Sequence, residues 1–324
     1  MRISKLCVVI SALLGSAAFA PPAFAQAKWD MPTPYSDGSF HTKGVRLFAD
    51  EIAKGGKLQI AVHSNASLIK HPEIKRAVQT GQVPIGEILI SVLANENALF
   101  AFDSNPFLAN GYDKEKKLWA AAKPYIEKRL EAQGIKLLYS VPWPPQALWA
   151  KKAINSTADL KGLKFRTYSP TTSRLAELVG AVPTTVQLPE VPQAFRTGVV
   201  DVMITSSPGG VDSQAWDYLT HFYDTEAFLP QNVVFVNKAA FEKLDAATQK
   251  SMVEAAARAE QRGWEASQQD NARSIKLLAE KGITVGKPSA KLAAEFAAIG
   301  KTISDEWAKR AGAEGEAILR AYSK

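Results

Sequence analysis

The sequence predicts an α/β protein built as two lobes. Three observations lead there. Short β-type runs alternate with helical ones along most of the chain. The segment Pro142-Trp143-Pro144-Pro145, which must be extended, breaks that alternation just after an apolar strand, as a crossing between two units would. Finally, residues 246–281 read as helix without a single proline, longer than an ordinary globular helix, and this helix is expected to run across both lobes.

Taken in order, residues 42–54 form an amphipathic helix that leads into the apolar strand 58–62. Residues 69–80 read as helix with Gly81 as the stop, and 83–90 as strand. A long charged helix over 113–132 ends at Gly134, and the strand 135–141 follows. Beyond the prolines the rhythm becomes strand 163–166, helix 171–179, strand 182–186, helix 190–197 and strand 199–204. One more strand, 229–236, comes after a second proline-containing stretch. Gly282 ends the long helix, and 290–309 and 314–322 read as terminal helices packed outside. No internal repeat or low-complexity tract is present.

The amino-terminal stretch reads as a targeting signal. Arg2 and Lys5 precede an apolar run over 6–19, and Ala23-Phe24-Ala25 supplies a small-x-small cleavage pattern before Gln26. The apolar run is shorter than the roughly 20 residues a membrane span needs. Residues 1–25 are therefore expected to be removed after Ala25, releasing a soluble periplasmic product. The one cysteine, Cys7, lies inside that signal, so the mature chain is expected to form neither a disulfide nor a thiolate metal site. The formal charge of +7 loses Arg2 and Lys5 to become +5, with acidic and basic residues mixed along the chain. Such a surface can steer anions, but it has no basic stripe for nucleic acid.

Sequence signatures of catalysis are missing: there is no H-E-x-x-H, no P-loop, no G-x-S-x-G and no G-x-G-x-x-G. The four histidines, His41, His63, His71 and His221, lie in different segments at spacings that match no familiar metal pair. Two places suit binding better. Arg166 stands at the carboxyl end of a short apolar strand, where α/β folds present ligand groups and where a guanidinium can grip a carboxylate through two parallel hydrogen bonds. A structural ion pair is the alternative reading of the same residue. The run Asp201-Val202-Met203-Ile204-Thr205-Ser206-Ser207-Pro208-Gly209-Gly210 carries a strand into clustered hydroxyls and glycines, which offer small donors or simply make a turn-rich loop. Trp143 either lines a cleft or stiffens the crossing.

The stretch Ala153-Ile154-Asn155-Ser156-Thr157-Ala158-Asp159-Leu160-Lys161-Gly162-Leu163-Lys164-Phe165-Arg166 resembles the signature of the DctP-type solute-binding proteins of TRAP transporters. Gly180-Ala181-x-Pro183, Glu190, Gln193-Ala194-Phe195 and Thr197-Gly198-Val199-Val200-Asp201 fit the same family, as do residues 58–68, Glu73-Ile74-Lys75 and Gly81-Gln82-Val83. The resemblance implies a two-lobed periplasmic binding protein fold with a central cleft, a hinge crossed more than once and a helix spanning both lobes. It implies lobe I over 26–143 plus 231–270 and lobe II over 144–230 plus 271–324. The chain is expected to be a monomeric receptor, without cofactor or metal, that delivers a small organic carboxylate to TRAP membrane permease subunits; the alternatives are an exported hydrolase or lyase acting on an organic acid, or the binding component of an ATP-driven transporter or sensor.

In the family the arginine matching Arg166 pairs with the ligand carboxylate. The departures are informative: sialic-acid-binding relatives carry a second arginine near the position of Gln146 and an asparagine near that of Thr205. One strong cation, neutral donors and an aromatic wall suit a compact 2-hydroxy, 2-oxo or aromatic monocarboxylate. The expected ligand contacts are Arg166, Thr205, Ser206, Gln146 and Trp143, joined from the first lobe by Tyr35, Ser64-Asn65 and Glu87. Glu87 is expected either to hold Arg166 or to accept a ligand hydroxyl.

Overall fold

The computed structural model describes residues 27–324; the expected export signal and its cleavage point lie outside them. Strands β1 (Ala27–Pro32) and β2 (Leu58–His63) pair in parallel and are joined through α1 (Phe40–Ala53). Helix α1 buries Val45, Phe48, Ala49 and Ile52, the i, i+3, i+4, i+7 face that its apolar spacing predicts. A 3₁₀ turn at His71–Glu73 and α2 (Ile74–Gln79) replace the single helix expected over 69–80. Then come β3 (Ile85–Leu89), two 3₁₀ segments, α3 (Tyr112–Glu131) and β4 (Ile135–Pro142).

Past the prolines the chain makes β5 (Ala147–Ala150), β6 (Lys164–Thr167), α4 (Pro170–Leu178), β7 (Val182–Thr185), α5 (Val191–Arg196), β8 (Val202–Thr205), α6 (Ser207–Asp212) and β9 (His221–Tyr223). It returns through β10 (Gln231–Asn237), α7 (Lys238–Glu242), α8 (Ala246–Glu280), β11 (Thr284–Gly286) and α9 (Ala290–Tyr322). The last helix is broken at Gly312, whose φ of 57° is open to glycine, so the two expected terminal helices are one interrupted element. Strands β1, β5, β9 and β11 escape the sequence reading. Three of the four are only three or four residues long, and they exist because neighbouring strands pair with them.

Two further sheets organise the molecule. One has the order β3-β10-β4, with β10 antiparallel to both neighbours. The other runs β11-β9-β5-β8-β6-β7, and within it β8, β6 and β7 are parallel. Strand β10 is buried from Gln231 through Val236 because it is central and covered on both faces, which explains its unbroken apolar run. The chain passes between these sheets three times, the last time through α8, and the first two passes lie side by side. The Trp143 N–H donates to the Pro230 carbonyl (2.8 Å), the Gln146 N–H to the Phe228 carbonyl (2.9 Å) and the Ala227 N–H to the Gln146 carbonyl (3.0 Å).

Helix α8 ties the halves together. Asp245 caps its start, accepting from the Ala247 and Thr248 N–H groups. It packs on α1 and β4 near one sheet and on α6 and β11 near the other. Where it crosses β4, Gly263 lets the backbone approach so closely that a Cβ would stand 2.3 Å from a Val141 methyl. Beneath α3, β10 is clamped by two buried acids: the Gln231 N–H donates to Asp103 Oδ2 (2.6 Å) and Gln231 Nε2 to Glu115 Oε1 (2.8 Å). Burial pushes both carboxyls up, Asp103 to about 7 and Glu115 well above its usual range.

Two outcomes follow. Gly263→Ala should destabilise the fold by about 1–3 kcal/mol through overpacking, despite alanine's better helix propensity, as denaturant unfolding will measure. A carboxyl raised in the folded state contributes its stability below the ordinary carboxylate range and loses it as pH rises toward the folded value, by about 1.4 kcal/mol per pH unit. Glu115→Gln keeps the oxygen that Gln231 needs and removes the titration. Its melting temperature relative to wild type should therefore climb between pH 5 and pH 8; a constant difference would contradict the buried-acid account.

Candidate ligand-binding site

The parallel run β8-β6-β7 brings three carboxyl-terminal strand ends to one edge, the edge where α/β sheets present ligand groups. Arg166 comes from β6, Thr205 and Ser206 from the end of β8, and Gln187 from just beyond β7. From the other half come Tyr35, which follows β1, together with His71 and Leu89; the crossing segment adds Trp143 and Gln146. All of these line one cavity between the halves.

Arg166 is the centre of this site. Its side chain is only 3% exposed, and among the described residues no carboxylate lies within salt-bridge distance of it. Nε donates to the Val186 carbonyl (2.8 Å), Nη1 reaches toward the Ile204 carbonyl (3.5 Å), and the guanidinium carbon lies 4.8 Å from the centre of the Tyr168 ring. Burial pulls its pKa down to about 10, so it stays charged at neutral pH. The structural ion pair that the sequence left open is absent among the described residues. What the guanidinium lacks is an anion.

The walls are fixed by a buried network. Asn232 Oδ1 accepts from both the Tyr35 hydroxyl and Trp143 Nε1, each at 2.9 Å, and the two rings meet edge-on with centroids 5.0 Å apart. Asn232 Nδ2 in turn donates to Glu87 Oε1 (2.9 Å), while the Thr33 hydroxyl donates to Glu87 Oε2 (2.5 Å). His41 Nδ1 stands 3.4 Å from the same carboxylate. Burial would raise the Glu87 pKa, but the contacts with His41, Thr33 and Asn232 outweigh it and hold the carboxyl below its usual range. On the other side the Tyr168 hydroxyl donates to Gln146 Oε1 (2.8 Å), and Gln146 Nε2 donates to the Pro144 carbonyl (3.1 Å).

Of the residues expected at the site, Arg166, Thr205, Ser206, Gln146, Trp143 and Tyr35 therefore converge on one cavity. Glu87 does not line it. The carboxylate stands behind Asn232 and neither holds Arg166 nor faces the cavity; a bare anion there would repel an anionic ligand. Asn65 also lies elsewhere, exposed on a turn with φ 57°, where its N–H donates to the Tyr35 carbonyl (2.6 Å). His71 and Gln187 were not foreseen as site residues. A helix-spaced histidine and a loop glutamine carry no sequence signal, and their hydrogen bond (3.0 Å) joins segments 116 residues apart. His63 pairs instead with Asp30, so the two histidines share no partner. No cluster of metal-ligating residues occurs among the described residues.

The fold has close counterparts. The chain is 48% identical to DctP6, a Bordetella pertussis extracytoplasmic solute receptor binding pyroglutamic acid, with a TM-score of 0.90 over 92% of this chain and 99% of that one. It is 38% identical to a TRAP solute-binding protein of an unidentified marine microbe, specific for pyroglutamate, with a TM-score of 0.90 and coverage of 92% and 99%. It is also 26% identical to the C4-dicarboxylate-binding periplasmic protein DctP of Rhodobacter capsulatus, over 86% of each chain. Residues 33–310 match the DctP family model, bacterial extracellular solute-binding protein family 7. The chain belongs to that family, the extracytoplasmic solute receptors of TRAP transporters.

Proposed function

We propose that this receptor captures pyroglutamate, or a cyclic monocarboxylate of the same size, between its two lobes. Membership of the family makes it a solute receptor rather than an enzyme, one that works with membrane permease subunits on small organic carboxylates. The observation that carries the ligand reading is the buried, charged Arg166 without an acidic partner among the described residues, set in a cavity walled by Tyr35, Trp143 and Tyr168. The ligand carboxylate would take the guanidinium, and the flat ring would lie against Tyr35, Trp143 and Leu188. The Thr205 and Ser206 hydroxyls and the Gln146 amide are neutral partners for a ring amide.

A dicarboxylate, suggested by the Rhodobacter relative's name, fits less well. Arg166 is the one cation lining this cavity, since His71 is held neutral, its pKa lowered to about 4 by burial. A second carboxylate would be desolvated unpaired, at a cost of several kcal/mol. The reading extends to a monomer exported by residues 1–25 and cleaved after Ala25. Lobe I comprises 26–143 plus 231–270 and lobe II comprises 144–230 plus 271–324, with hinge strands at the two crossings.

Calorimetric titration tests the ligand: pyroglutamate should bind, and succinate at least about a hundredfold more weakly. A preference for succinate would overturn the monocarboxylate reading. Arg166→Ala should weaken binding by about 3–5 kcal/mol, because the buried ligand anion loses its partner. Arg166→Lys should recover little of this, since the forked geometry is lost. Near-wild-type affinity in either variant would move the anion site elsewhere. Small-angle scattering should show a smaller radius of gyration with ligand than without, and an unchanged radius would count against lobe closure.

A further inference from the structure

Gln187 and His71 face each other across the cavity, and the hydrogen bonds around them leave one arrangement. A backbone N–H can only donate, and the Leu89 N–H points to His71 Nε2 at 3.1 Å, so Nε2 is the acceptor. The proton of a neutral imidazole must then sit on Nδ1, 3.0 Å from Gln187 Oε1. The reverse amide orientation would set a donor against Nδ1 while Nε2 also accepts, leaving the ring no proton. The environment favours the neutral ring: burial pulls His71 down, against opposite pulls from the Gln187 hydrogen bond and Glu87 on β3, while Arg166 on β6 lowers it further. Tyr35 packs against the ring with centroids 6.0 Å apart. Among the described residues Gln187 Nε2 makes no hydrogen bond, although Gln187 lines the cavity.

We infer that Gln187 is a specificity residue whose amide His71 pins across the interlobe cavity, so that it offers the ligand two N–H donors and no acceptor. This rests on the carboxylate-receptor reading above and adds the polarity of a second contact. Gln187 follows directly on Val186, whose carbonyl holds Arg166 Nε, and both Gln187 and Arg166 line the cavity. A ligand atom that only accepts, a carboxylate oxygen or a ring carbonyl, is favoured there, and an ammonium or hydroxyl hydrogen is rejected. His71 and Leu89 belong to the half containing β3, and Gln187 to the half containing β7. The pin therefore forms only when the halves meet, which makes His71 a positioning residue that acts through Gln187.

The test is titration of Gln187→Glu with pyroglutamate at pH 7.5. The substitution is isosteric and retains an oxygen for His71 Nδ1–H. A Gln187 that merely held His71 would thus keep its affinity, and a loss smaller than tenfold overturns the inference. The expected loss is about 30-fold or more, since two donors go and a carboxylate faces the ligand anion. Gln187→Met, without the added charge, should also lose tenfold or more, and melting temperatures of the ligand-free variants verify folding. His71→Gln supplies an oxygen for Leu89 and an N–H for Gln187. It should bind at least fivefold more tightly than His71→Leu; equal affinities would remove His71 from the role. If wild type fails to bind pyroglutamate, the ligand reading fails separately. The same variants are then titrated with the monocarboxylate that shifts the wild-type melting temperature most, under the same thresholds.

Discussion

The structure turns on a buried positive charge without a negative one. A guanidinium taken out of water is costly unless paired, and Arg166 has two backbone carbonyls and an aromatic face but no carboxylate among the described residues. Those contacts fix its direction without neutralising it. In the proposed function the ligand carboxylate supplies that charge, which would prepare affinity and selectivity in the same side chain. Parallel strands make this arrangement available, because β6, β7 and β8 deliver Arg166, Gln187 and Thr205-Ser206 to one edge without any one loop having to do so.

Such a charge also constrains its neighbours. An acid within reach of Arg166 would compete with an anionic ligand, and the buried acid Glu87 is instead occupied by Asn232, Thr33 and His41. The carboxylate has a different task. By accepting from Asn232 Nδ2 it fixes the amide so that Oδ1 faces Tyr35 and Trp143, and the aromatic wall stands on that oxygen. The Tyr35, Trp143, Asn232 and Thr33 donors each have an acceptor in this network, which holds the aromatic wall in place.

The two halves are joined by elements that differ in stiffness. The crossings at 143–146 and 227–230 hold each other through three backbone hydrogen bonds. Helix α8 spans 35 residues and is pressed on β4 at Gly263, where no side chain could fit. Trp143 lies on the first crossing and lines the cavity, so the crossing is part of the cavity wall.

Much of this was legible in the chain. Apolar patterning marked α1 and the central strands, since one face of each must be buried whatever the neighbours are, and α8 was marked by its long proline-free run. The prolines marked the first crossing because they exclude helix, and the signature ending at Arg166 marked both the family and the cation. Tertiary structure alone decided the short strands β5, β9 and β11, which have too few residues to show a period. It alone placed Glu87 behind the wall rather than in it, and it brought His71 to Gln187 across 116 residues. Sequence pattern reports which face of an element meets the core. The side chains that meet across a cleft, and which of them donates, are set by the packing of distant elements.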